Sequence, residues 1–380
     1  MLARASLLVL LNLILSMNIH AQQIDVWLGV GSRGESSGIY HCLLNLKTGK
    51  LTPSTLVGPI DRPGFITLHP DGTHIYSTGS LNDVPSVACW KIVKRGPKAA
   101  LELVNAVPIG DGGAAHVSVD PTGKILLSAQ YGGGSTAAYE LASSGEIVKQ
   151  TTLIQHQGGS GVFGNRQDAP HAHWTGFSPD NRFAFVPDLG LDQVVIYQVD
   201  LAAASISAQG KADLPPGSGP RHMKFHQNGK WIYVLNELSL TVSAFDYDAK
   251  NGSMQIKQTV ATVAPEELAR EKFKSCSEIR IHPNGRFVYA ANRGHDTITV
   301  FAIEDDGTLS AIQNEHVRGS IPRNFNLDPN GKWLLAGGQA SNTLASFEID
   351  PKTGLMTYNQ NVINTPAPIC IVFDPANVED

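Results

Sequence analysis

The chain has 380 residues, 42% of them apolar, with 37 Gly, 22 Pro and a formal net charge of −5. That is enough apolar side chain for a large core, and the Gly and Pro content suits many short strands joined by tight turns. The acidic balance and the lack of any basic run argue against a nucleic-acid partner.

In chain order, residues 1–21 read as an export signal. Arg4 is the only charge before Asp25, the apolar stretch Leu7 to Leu15 follows it, and Ile19-His20-Ala21 offers a cleavage site after Ala21. The apolar run is short for a membrane span, and no Cys directly follows it to carry a lipid. The competing reading is a buried N-terminal strand. Residues 22–380 then form the mature chain, expected as one domain without a membrane span, monomeric, in the periplasm or the medium. Cys42, Cys89, Cys276 and Cys370 form no C-x-x-C pair. They are expected as buried free thiols, although export permits disulfides.

One pattern then recurs: an apolar alternating run, a Pro-Asx-Gly-like turn, and a second apolar run. The turns are Pro70-Asp71-Gly72, Pro121-Thr122-Gly123, Pro179-Asp180-Asn181, Gln227-Asn228-Gly229, Pro283-Asn284-Gly285 and Pro329-Asn330-Gly331. They fall about 46 to 58 residues apart, the length of a four-stranded propeller blade. Asx-Gly tolerates the positive φ of a tight hairpin. A second hairpin signal follows in the same phase at Asp246–Gly252 and Ile349–Gly354, with a further copy at Asn45–Gly49. Residues 26–57 thus look like the last three strands of a blade, and Pro366–Pro375 like its missing first strand. The expected fold is all-β, a seven-bladed β-propeller whose last blade is closed by strands from both termini. Two segments depart from the repeat: the Gly-rich insertion Gly158–Ala169, and Pro265–Lys274, which reads as a short surface helix capping a loop.

Aligning the copies on the turn proline (or Gln227) places polar residues. Six positions before it, at the entrance of the inner strand, stand Gly64, Ala115, His173, Arg221, Ser277, Arg323 and Ile369. Ten positions after it, at the exit of the second strand, stand Ser80, Tyr131, Leu189, Glu237, Arg293 and Gln339. Antiparallel pairing puts entrance and exit at the same end of the blade. His173, Arg221, Glu237, Arg293 and Arg323 should therefore converge at one mouth of the central channel. Either they form inter-blade salt bridges, or they bind something. Three arginines against one carboxylate favour an anionic ligand. His171 offers a second polar group or a side chain satisfied in the core. His222, Trp174 and Glu278 follow the entrance position by one and face the channel if the strand phase shifts. His69 and His282, beside the turns, read as structural. His171-Ala172-His173 lacks a third ligand placed by spacing, so no metal is expected, and no motif calls for a cofactor. No Gly-x-Ser-x-Gly elbow exists.

At these residues the chain resembles the seven-bladed propeller lactonases, which include the propeller-type 6-phosphogluconolactonases and the carboxy-muconate cyclases. The matching segments are PHAHWTGFSPD, GPRHMKFHQNGKWIYVLNE, SEIRIHPNGRFVYAANRGHDTI and PRNFNLDPNGKWLLAGGQASNT. The resemblance implies a catalytic His, two Arg and a Glu, carried by motif onto His173, Arg221, Arg293 and Glu237. Arg323, His171, His222 and Gln339 are the expected substrate-binding neighbours. The export signal departs from the cytosolic setting of phosphogluconolactonases, so the substrate need not be phosphorylated. The leading expectation is hydrolysis of a sugar lactone, with His173 as base and an arginine stabilising the oxyanion. A cycloisomerase closing a carboxy-muconate uses the same groups, and an exported binding propeller is the non-catalytic alternative.

Overall fold

A computed structural model describes residues 23–377. The expected signal peptide lies outside the described residues. Seven four-stranded antiparallel sheets follow one another around a central channel. Six of them run from inner to outer strand in chain order; the blade holding Pro220–Phe225, Trp231–Asn236, Thr241–Asp248 and Ser253–Ala261 is representative. The seventh is composite. Its inner strand is Pro368–Asp374, and Gln23–Val30, Gly38–Asn45 and Thr55–Pro59 complete it. Trp27 pairs with Val372 in register, and its indole N–H donates to Asp374 Oδ2 at 3.1 Å. Arg95, from the next blade, adds a 2.8 Å bond to the same carboxylate.

The turns explain why the sequence repeats as it does. Gly331 takes φ +71°, and a Cβ there would lie 2.5 Å from the His282 ring. His282 Nε2 instead bonds the Gly331 carbonyl at 2.9 Å, and His226 bonds Gly285 in the same way at 2.8 Å. Histidines beside the turns therefore stitch one blade to the next, and His69 does so toward Gly123. In the one copy lacking the glycine, Asn181 adopts φ 60°, which asparagine tolerates.

Apolar side chains pack between neighbouring blades rather than in one central core. One cluster joins Tyr289 and Phe287 of one blade to Phe325 and Phe347 of the next. The Tyr289 hydroxyl crosses the same seam to the Gly354 carbonyl at 2.8 Å, as Tyr233 does to Gly307 at 3.0 Å. Each such buried aromatic contributes about 1.5–3 kcal/mol of transfer free energy, and its bonded hydroxyl costs little. The four cysteines are buried and unpaired, and burial pushes the thiols up to about 12. Among the described residues no helix is long and apolar enough to cross a membrane. The expected surface helix is shorter than its sequence suggests: only Pro265–Leu268 is helical. An isolated turn needs a packed face to propagate, and here only Leu268 reaches the core.

Candidate active site

Four of the inner strands carry a one-residue β-bulge at the entrance position. Pro220 pairs with Asn236 and His222 with the adjacent Leu235, so Arg221 is the extra residue. Ala115, Arg323 and Ile369 are extra in the same way in their blades. A bulge breaks the two-residue alternation and re-aims side chains. Arg221 and His222 consequently both face the channel, with Arg221 Nη1 donating to His222 Nε2 at 3.1 Å.

Glu237 is the centre of the mouth. Its Oε2 accepts from Arg221 Nε at 2.9 Å, and its Oε1 accepts from Arg166 Nη2 at 2.7 Å. Arg293 Nη2 lies 3.1 Å from Oε1, and His173 Nε2 lies 4.0 Å from Oε2. Burial alone would push this carboxyl up. Arg293 and Arg221, with the bond from Arg166, overcome that and hold it well below the usual carboxylate range. Arg221 also bonds the Ser277 carbonyl, and burial, with Arg323 and Arg293 beside it, draws its pKa down to about 9.

A cavity of about 410 Å³ opens here, lined by Tyr131, Arg166, His173, Glu237, Arg293 and Arg323, among others. Four guanidinium groups (166, 221, 293 and 323) face one carboxylate, a surplus of three positive charges at this mouth. Arg293 Nη2 is fixed by Ser275 Oγ at 2.5 Å and the Cys276 carbonyl at 2.9 Å, while Nη1 and the buried Nε make no hydrogen bond to any described residue. Arg323 makes no hydrogen bond to any described residue, and burial followed by repulsion from Arg293 brings its pKa to about 10. His173 is buried. Desolvation first, then Arg221 and His222, lowers its pKa well below 6.5, so the imidazole is neutral.

Of the other expected residues, Gln339 lines an adjoining cavity of about 490 Å³ that shares Arg323. His171 stacks on Tyr131 at 4.6 Å and bonds the Tyr131 carbonyl through Nδ1 at 2.8 Å, one step back from the cavity. His222 is deeper still: it accepts from Arg221 and donates through Nδ1 to Glu278 at 3.0 Å. Sequence reasoning passes over Arg166, Tyr131 and Phe273. Tyr131 stands in the exit ring already, and Arg166 is the single basic residue of the Gly158–Ala169 insertion. Both insertions fold over this mouth: Arg166 bonds Tyr131 Oη at 3.2 Å as well as Glu237, and the Phe273 ring lies 6.0 Å from the Arg293 guanidinium carbon.

Fold and site together define a propeller with an arginine-rich pocket at one channel mouth. The chain belongs to the family described as "Lactonase, 7-bladed beta-propeller", whose profile matches residues 25–373. It is 35% identical over 326 residues to a 6-phosphogluconolactonase of Formosa agariphila, covering 84% of this chain and 90% of that one. It is 30% identical over 348 residues to a 6-phosphogluconolactonase of Bacillus subtilis, covering 91% and 97%. The solved periplasmic gluconolactonase of Pseudomonas aeruginosa superposes with a TM-score of 0.84 at 25% identity, covering 93% of this chain and 99% of that one.

Proposed function

We propose that the chain is an exported lactonase that hydrolyses a sugar lactone at the mouth built around Glu237. The observation that carries this reading is the pairing, in one cavity, of unfilled guanidinium donors with a neutral imidazole. Ester hydrolysis needs both: a base for the attacking water, and donors for the oxygen on which charge develops. Water adds to the lactone carbonyl, His173 takes its proton, and Arg293 Nη1 or Arg323 stabilises the oxyanion. Collapse breaks the ring C–O bond, and the proton returns to the leaving alkoxide, giving the hydroxy acid. Glu237, held ionised by its arginines, is a poor base. At 4.0 Å it stabilises the imidazolium that forms on His173. The remaining arginine holds a substrate hydroxyl or anionic group. The leader over residues 1–21 and the periplasmic relative support export.

The test is acid release followed by pH-stat from purified mature protein, with gluconolactone, 6-phosphogluconolactone and other sugar lactones as substrates. His173→Gln should lower kcat about 10²-fold or more, and Arg323→Ala should lower kcat/KM. Release that both variants leave intact would place the chemistry elsewhere.

A further inference from the structure

The channel has a second mouth, and it is chemically distinct from the first. Between the two lies a layer of packed side chains one residue further along each inner strand. The Phe65 ring sits 4.0 Å from His116, His116 sits 5.4 Å from Trp174, and His222 sits 5.3 Å from His173. Glu278 closes the layer, bonded to His222 and Asn324. These contacts separate the two ends of the channel by a layer of packed and hydrogen-bonded side chains.

Beyond this layer is a cavity of about 440 Å³ whose lining contains no Asp or Glu. Its two cations are Lys224 and Arg280, from adjacent blades. Arg280 is already balanced by Glu278 at 2.8 Å and bonds Asn326 through Nε at 2.9 Å, with Nη2 unbonded. Lys224 has no salt-bridged carboxylate and no hydrogen-bond acceptor among the described residues; its ammonium lies 5.0 Å from the Trp174 ring centroid. Burial and the neighbouring Arg280 depress its pKa to about 7. This half-buried ammonium faces a π-system, shares Glu278 with Arg280 as its neighbouring carboxylate, and has no hydrogen-bonded anion of its own. Phe65, Trp174, Phe177 and Phe225 line the walls around it.

We infer that this second mouth is a separate binding site for a small organic monoanion with a flat apolar body. The carboxylate bridges Lys224 and the free Nη2 of Arg280, and the body stacks among the aromatic walls.

Isothermal titration calorimetry of the mature protein with benzoate as probe tests this. Wild type and Arg323→Ala should bind benzoate alike, because Arg323 belongs to the other mouth. Lys224→Met should weaken binding about tenfold or more, equivalent to about 1.4 kcal/mol. Thr67→Glu, which adds a carboxylate to the same cavity without touching the lysine, should abolish it, so the result does not hang on one variant folding. No benzoate binding to the wild type, binding unchanged in both Lys224→Met and Thr67→Glu, or binding lost in Arg323→Ala would overturn the proposal. Binding heat is read without turnover, so the outcome stands whether or not the first mouth hydrolyses lactones.

Discussion

Glu237→Gln is the most informative single change because the carboxylate anchors three guanidinium groups at once. Glutamine keeps the shape and one acceptor oxygen but removes the charge that balances Arg221, Arg293 and Arg166. Removing one partner of a buried ion pair costs about 3–5 kcal/mol. The Arg166 share is small, since that side chain is 36% exposed and solvent screens it. The retained amide oxygen still accepts one N–H, so the low end, about 3 kcal/mol, is expected. With about 2.1 cal/mol/K of unfolding entropy per residue, a chain of this length unfolds with about 0.8 kcal/mol/K, and the melting temperature should drop by about 4 °C. Sulfate should recover more of that loss in the variant than it adds to the wild type, because it supplies the missing negative charge. Turnover should fall about 10²-fold through the lost support for a charged His173. Differential scanning fluorimetry with and without sulfate, beside pH-stat kinetics, gives all three numbers. A variant that melts and turns over like the wild type would refute the role given to this carboxylate.

Three further outcomes are expected. Arg166→Ala, which removes the insertion's bond to Glu237 and Tyr131, should raise KM several-fold while leaving the unfolding free energy within about 1 kcal/mol of wild type; an unchanged KM would confine Arg166 to the loop. His116, His173 and His222 are all held neutral in the fold, chiefly by burial. Below about pH 6.5 the unfolded chain takes up protons that the folded one refuses. Stability should therefore fall as pH drops, by up to about 1.4 kcal/mol per pH unit for each histidine; urea melts that stay flat between pH 7 and 5.5 would contradict this. Gly331→Ala should destabilise by about 1–3 kcal/mol, since it forces a side chain into positive φ and against His282; a neutral effect in the same melts would remove the blade-stitching role of that turn.

The architecture was legible because it is written several times over. The Pro-Asx-Gly turns mark each blade, and the half-blades at the two ends of the chain announce their own union. The ring of polar residues was legible for the same reason: equivalent positions in a cyclic repeat meet at the axis. Strand alternation, however, could not say whether Arg221 or His222 faces the channel. The bulge at Arg221 answers that both do, and a bulge of one residue leaves no mark in an apolar–polar pattern. Arg166 escaped because it stands in an insertion, where the repeat supplies no register. The depth of His222 and its bond to Glu278 depend on which neighbours reach across blades, which no single blade encodes.

The composite blade sets an order of events in folding. Six blades are made of consecutive residues and can each form as soon as their own stretch is available. The ring itself waits for Pro368–Asp374 to find Gln23–Val30, a meeting of residues such as Trp27 and Asp374, 347 positions apart. Closing that loop costs only about 2 kcal/mol more chain entropy than closing one of about 50 residues. The delay is therefore one of timing more than of energy. Until the last strand arrives, Gln23–Val30 is an open edge able to recruit a strand from another molecule. The strand Pro368–Asp374 thus acts as the latch on which both solubility and a complete channel mouth depend.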